Sequence, residues 1–155
     1  VLPGIFRLEA DAEGDLIRRV KIETGFLHKG VEKSFEQRNW FTSMVAVDRM
    51  EPESPLASEL AFCMAVEEIS NIQVPRRAQV IRLILAELER VASHLNFLAK
   101  LAIATGFETV SHYILRERES VPDLFDLITG RRFNPNFFRF GWVSGDITEG
   151  LIGQK

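Results

Sequence analysis

The sequence predicts a mainly helical α+β fold: an N-terminal β-hairpin followed by a bundle built around one long helix. Three observations carry this. Residues 74–106, VPRRAQVIRLILAELERVASHLNFLAKLAIATG, form an unbroken helical pattern between Pro75 and Gly106. Residues 4–23 alternate apolar and charged around a turn. The rest is cut by Pro and Gly into shorter segments of helical length.

The long run comes first. Pro75 fits a first helical position, where its missing N–H costs nothing, and Gly106 fits the left-handed position just past the end. About 30 residues make a rod of about 45 Å. Ile81, Ile84, Leu88, Val91, Leu95, Leu98 and Ala102 recur every three or four residues and predict a core-facing stripe. A second row, Ala78, Leu85, Ala92 and Ala99, is mostly small and suits a close helix neighbour. Leu83, Phe97 and Leu101 fall off the stripe, which predicts cover on other sides too.

In chain order, Gly4–Asp11 places Phe6, Leu8 and Ala10 on one face and Arg7, Glu9 and Asp11 on the other. Residues 12–15 supply a turn, and 16–23 return with Val20 and Ile22 inward, a hairpin with one wet face. Two strands are marginal alone, so this hairpin is expected to lie on helices or to join a sheet. Gly25 and Gly30 bracket a tight crossing before a short helix near Val31–Asn39, and an apolar run, Trp40–Val47, precedes Asp48 and Arg49. Ser54 as N-cap and Pro55 as first residue open a helix to about Ser70, burying Leu56, Leu60, Cys63, Met64 and Ile69. Its short link to the long helix predicts an antiparallel pair. Thr109–Glu119 reads as helix, Pro122 as a break or kink, and Leu124–Thr129 as a further turn or two before Gly130. Residues 131–146, RRFNPNFFRFGWVSGD, read as an ordered loop or edge strand. This organises the chain as one domain: hairpin over 1–24, bundle over 25–130, and an aromatic and glycine-rich loop over 131–155. That loop stops without closing a fold, as a fragment would.

Composition bounds the chemistry. A net charge of −3 argues against a nucleic-acid surface. No apolar window is long enough to span a membrane, and the opening VLPGIFRLE has no signal-peptide pattern. Cys63 is the single cysteine, so an internal disulfide and a four-thiolate cluster held by this chain are excluded, and a reducing compartment is the default. His28, His94 and His112 match no metal spacing and read as structural. No P-loop, GxGxxG or nucleophile elbow is present. Arg116–Glu119 could be catalytic but reads better as a solvated helix end. Arg49, in a loop just before a helix, admits both a surface reading and a functional one.

Four segments, GFLHKGVEK, ASELAFCMAVEEISNIQVPRRAQVIRLILAELERVASHL, LRERESVPDLFDLITGRRF and NFFRFGWV, resemble the 49-kDa subunit of proton-pumping NADH–quinone oxidoreductase, the respiratory complex I. That family is related to the large subunits of nickel–iron hydrogenases. The similarity runs in order from about Gly4 to Asp146, and by length it implies the N-terminal portion of such a subunit. It implies a helical bundle flanked by small β-elements, like the nickel–iron hydrogenase large subunit. It also implies that the chain binds no cofactor alone. A partner small subunit would carry the terminal 4Fe-4S cluster, and quinone would be reduced in the cavity between the two.

On this resemblance Arg49 and Arg139 lie near the partner's iron–sulfur cluster, and Gly25, His28 and Gly30 form the family's glycine-histidine turn, followed by Glu32 and Lys33. Implied partners are the small iron–sulfur subunit, other complex-I-like subunits including a membrane arm, and quinone, with no nucleic acid. The implied location is peripheral, on the cytoplasmic (or matrix) face of the inner membrane. The departures are specific. Pro3 stands where the family has a histidine, Pro52 where it has its quinone-headgroup tyrosine, Asn134-Pro135 where it has a histidine pair, and Ala104 where it has an acid. The hydrogenase relatives' CxxC is absent from Glu51–Ser54. Two readings follow: a divergent 49-kDa subunit serving an acceptor cavity, or a non-catalytic structural paralogue holding a membrane-associated oxidoreductase complex together.

Overall fold

The computed structural model describes Phe6 to Ile147, so Pro3 and residues 148–155 lie outside the described residues. The chain divides into two compact units, Val1–Gln37 and Arg38–Lys155.

In the first unit β1 (Arg7–Glu13) pairs antiparallel with β2 (Leu16–Glu23), with a bulge between Asp11 and Ala12. Leu8 sits opposite Ile22 and Ala10 opposite Val20, which puts these four on one face as the alternation predicts. The other face carries a ladder of charge in which Arg7 meets Glu9 at 2.6 Å and Lys21 meets Glu23 at 2.5 Å. Leu8, Val20 and Ile22 are as exposed as the charges in the chain by itself, because a two-stranded ribbon has no layer of its own to lay over either side. A tight turn follows, in which the His28 N–H donates to the Gly25 carbonyl at 3.0 Å and Gly30 takes φ +62°. Helix α1 covers only Val31–Phe35, shorter than predicted.

The second unit contains α2 (Trp40–Val47), α3 (Pro55–Ser70), α4 (Arg76–Ala104), α5 (Glu108–Arg118) and α6 (Ser120–Thr129). A small hairpin of β3 (Phe138–Arg139) and β4 (Trp142–Val143) closes it. The Asn39 side chain accepts the Thr42 N–H at 2.8 Å, so Asn39 caps α2 instead of ending α1. Pro75 stands one place earlier than expected, as the residue before α4. Helix α6 starts earlier than the Pro122 break suggests, because proline is tolerated in a first helical turn.

Helix α4 packs against α3, α5 and α6, and it does so on its small row. Ala78, Leu85, Ala92 and Ala99 are buried, whereas Ile84, Val91 and Leu98 of the predicted main stripe are exposed. Small side chains let a neighbouring backbone approach, so the alanine row became the seam. On α3, Leu56 and Cys63 are fully buried as predicted, but Met64 and Ile69 point to solvent. Glu67 of α3 meets Arg82 of α4, and the start of α3 meets Glu89 further along, so the two helices run antiparallel as expected. The core joins Leu56 and Cys63 of α3 with Ile81 and Leu85 of α4, and with Met44, Phe125, Phe137 and Phe138.

Candidate functional site

Four carboxylates and one guanidinium are buried in this core. On α3, Leu56, Glu59, Cys63, Val66 and Glu67 follow one another at helical spacing, so both glutamates sit on the apolar face. On α4, Ala78, Arg82, Leu85, Glu89 and Ala92 alternate spacings of four and three, which threads two charges through the seam. Buried charge is costly unless paired, and three of these groups are paired well.

Arg82 donates to both Glu67 oxygens, at 3.0 and 2.6 Å, and also to the carbonyls of Arg139 at 2.6 Å and Trp142 at 3.2 Å. Glu67 Oε1 further accepts the Gly141 N–H at 2.7 Å. Its carboxyl is held below the usual glutamate range: burial opposes this, but the Arg82 and Gly141 hydrogen bonds outweigh it. Glu89 reaches across to the N-terminus of α3 and accepts the N–H groups of Leu56 and Ala57, both at 2.9 Å. Ser54 makes no side-chain cap there, so the predicted cap is supplied from the neighbouring helix. Burial pushes the Glu89 carboxyl up to about 7 despite these two donors.

Asp48, ending α2, and Glu59, in α3, are both completely buried. Glu59 Oε2 accepts the N–H groups of Phe137 and Phe138, each at 3.0 Å. Arg49 Nη1 donates to Asp48 Oδ1 at 3.1 Å and to the Val45 carbonyl. Arg139 donates to Asn136 Oδ1 at 3.0 Å and to the Phe138 carbonyl at 2.6 Å. The two arginines singled out in the sequence thus flank one pair of buried carboxyls: Arg49 beside Asp48, and Arg139 within electrostatic reach of Glu59.

A cavity of about 300 Å³ lies beyond α3, lined by Pro52, Glu53, Glu89, Arg118, Asn134 and Pro135 among others. It brings together Pro52 and Asn134-Pro135, positions more than eighty residues apart that the sequence marks as departures. The Pro52 loop is tied to α4 through Glu53, which accepts from Asn96 at 3.0 Å and from Lys100. Arg132 bridges to Glu119 at 2.8 Å and to Asp123 at the rim. Arg116 and Glu117 are exposed, but Arg118 turns inward and lines the cavity.

Gly25, His28 and Gly30 belong to the first unit. His94 and His112 are exposed, and Ala104 is the exposed last residue of α4. Cys63 is buried, and burial with the nearby Glu67 and Glu59 carboxylates pushes its thiol up to about 12. Asp48, Glu59, Glu67, Arg82 and Glu89 escaped the sequence reading, while Arg118 departs from the solvated helix end that the sequence suggests. The signal was there for four of them, as charges falling in register with the apolar positions of α3 and α4.

The comparisons agree with this architecture. A family model described as "Respiratory-chain NADH dehydrogenase, 49 Kd subunit" matches residues 104–154. The chain is 42% identical over 148 residues to a D-type NADH-quinone oxidoreductase subunit of Geotalea uraniireducens, covering 96% of this chain and 38% of the relative. It is likewise 42% identical over 146 residues to the same type of subunit from Saccharopolyspora erythraea, covering 94% of this chain and 32% of that one. A chain of the membrane-bound sulfane sulfur reductase, an archaeal respiratory membrane complex, superposes with a TM-score of 0.88 at 32% identity, over 93% of this chain and 39% of that one. The chain therefore spans between 32% and 39% of the length of these relatives. Among the described residues no helix is long and apolar enough to cross a membrane. Over the residues it spans, the chain is similar in sequence to the 49-kDa subunit of NADH–quinone oxidoreductase.

Proposed function

We propose that the chain is the part of a complex-I-type oxidoreductase subunit that walls an electron-acceptor cavity beside a 4Fe-4S cluster held by a partner subunit. The observation that carries this is the convergence of Pro52, Asn134 and Pro135 on one cavity, with Arg49 on the same loop as Pro52. The family resemblance implies an acceptor near these positions. Arg49 is half exposed, so it keeps reach and charge toward a neighbouring subunit. The chain holds no redox group of its own on this reading: its single cysteine cannot supply the four thiolates of such a cluster. In its complex the subunit sits peripherally on the cytoplasmic or matrix face of the membrane, against the iron–sulfur subunit and the membrane-arm subunits.

The acceptor is the open part. Proline has neither hydroxyl nor N–H, so Pro52 cannot position or protonate a quinone oxygen as a tyrosine could. That residue favours either an acceptor other than the usual quinone or a structural role without catalysis. In the assembled complex Arg49→Met lowers the midpoint potential of the neighbouring cluster, because a nearby cation favours the added electron. Pro52→Ala leaves it nearly unchanged. Redox titration followed by EPR decides between them: a signal indifferent to both substitutions removes Arg49 from the cluster's side.

A further inference from the structure

The hydrogen bonds described above leave one oxygen on each carboxyl of the Asp48–Glu59 pair without a partner. Glu59 uses only Oε2 and Asp48 only Oδ1, while Glu59 Oε1 and Asp48 Oδ2 are buried and accept nothing among the described residues. Two ionised carboxylates in that state are doubly unfavourable. Each has a desolvated, unsatisfied oxygen, and each feels the other's charge. The cations available are few and lie to the outside. Arg49 and Arg131 face Asp48, and Arg139 faces Glu59. Further along α3 stand Cys63, a neutral thiol, and Glu67, whose charge is taken by Arg82 of α4. Among the described residues, no uncommitted cation therefore sits between the two carboxyls to neutralise both.

We propose that Asp48 and Glu59 together form a proton-binding site, holding one exchangeable proton on the pair beneath Arg49 and Arg139. A proton is the ligand that fits, because it removes one of the two charges and turns an orphaned acceptor into a donor. The same geometry fixes which member is protonated. Asp48 has the arginine at hydrogen-bond distance, which favours its charged form, while Glu59 has the deeper surroundings and only neutral N–H donors. Burial, reinforced by the Asp48 charge, pushes the Glu59 carboxyl up to about 7. Burial raises Asp48 as well, and Arg49 opposes that rise. The proton's hold depends on the charge facing it. Neutralising a cation on the Arg49 side tightens it, and removing the Asp48 charge loosens it. This stands on the chain's own residues and does not require the acceptor reading above.

The test is infrared pH-difference spectroscopy of the full-length protein in its complex, wild type against E59Q. A carboxylic C=O band should be present in wild type at mildly acidic pH, fade as pH rises through neutrality, and be absent from E59Q. D48N should lower the midpoint of that fading by about one pH unit. R49M should raise it. A wild-type spectrum without such a band, or a midpoint that ignores both D48N and R49M, overturns the pair. Where E59Q does not assemble, the wild-type, D48N and R49M midpoints alone carry the test. Loss of the cluster-potential effect in R49M with the carboxyl midpoint still moving would sink the acceptor reading and leave this one standing.

Discussion

Arg82 and Glu67 lie face to face in the interior, fork to carboxylate, and between them tie three parts of the second unit together. Glu67 comes from α3, Arg82 from α4, and the pair's remaining hydrogen bonds go to the backbone of Arg139, Gly141 and Trp142. Both side chains are nearly inaccessible to solvent, at 5% and 7%. Removing one partner leaves the other as an uncompensated buried charge. Arg82→Leu should therefore cost about 3–5 kcal/mol in denaturant unfolding. Because the Glu67 carboxyl is lowered in the folded state, its contribution is present above the unfolded value of 4.5 and disappears as pH falls through the lower folded value.

Glu59 and Glu89 act in the opposite sense. Each moves from 4.5 to about 7 on folding, so the folded chain binds these protons more tightly than the unfolded one. The stability they contribute is complete below 4.5 and is lost as pH rises to about 7, after which it stays lost. Each loss is at most about 3.5 kcal/mol. Glu89→Gln should flatten part of that slope in denaturant titrations across this window. A wild-type stability that climbs from pH 4.5 to 7 contradicts it.

The seam of α4 predicts a steep contrast between adjacent turns. Leu85 is fully buried, Leu88 half-buried and Val91 exposed. Leu85→Ala should cost ~2–5 kcal/mol and Leu88→Ala distinctly less. Val91→Ala should stay within about 0.5 kcal/mol, the usual range for an exposed site. Equal melting temperatures for the three variants would show that the alanine row is not the packed side.

Among the described residues, Gly141 is the one glycine where space and backbone agree. Its φ is +81°, and an added Cβ would stand 2.9 Å from Cγ2 of Ile72. Its N–H also serves Glu67. Gly141→Ala should cost about 1–3 kcal/mol, from strain at a left-handed position together with the clash. Gly130→Ala, left-handed but open, should cost less, and thermal melts compare the two directly.

Much of the fold was legible in the sequence because punctuation and period are local. Pro55 and Ser70 bound α3 as read, the hairpin register follows from alternation, and the long helix ends where Gly106 requires. Which face of α4 would be buried was not legible. Hydropathy favoured Ile84, Val91 and Leu98, while close approach favoured alanines, and the neighbours of a helix are not written in its own period. The same holds for the site. Arg49 and Arg139 could be found by resemblance, but Glu59 meets the Arg139 segment only across 78 residues of chain, and Asp48, though next to Arg49 in sequence, shows its complete burial only in the fold.

Cys63 gives this core a built-in clock. It has no exposed surface and a thiol held at about 12, one turn from Glu67 and beside the α3–α4 seam. A thiol reagent can reach it only when that seam opens. Its labelling rate in native conditions therefore reads the free energy of opening at the spot where the Arg82–Glu67 pair closes the structure. A weakened pair would announce itself as faster labelling long before the chain as a whole unfolds.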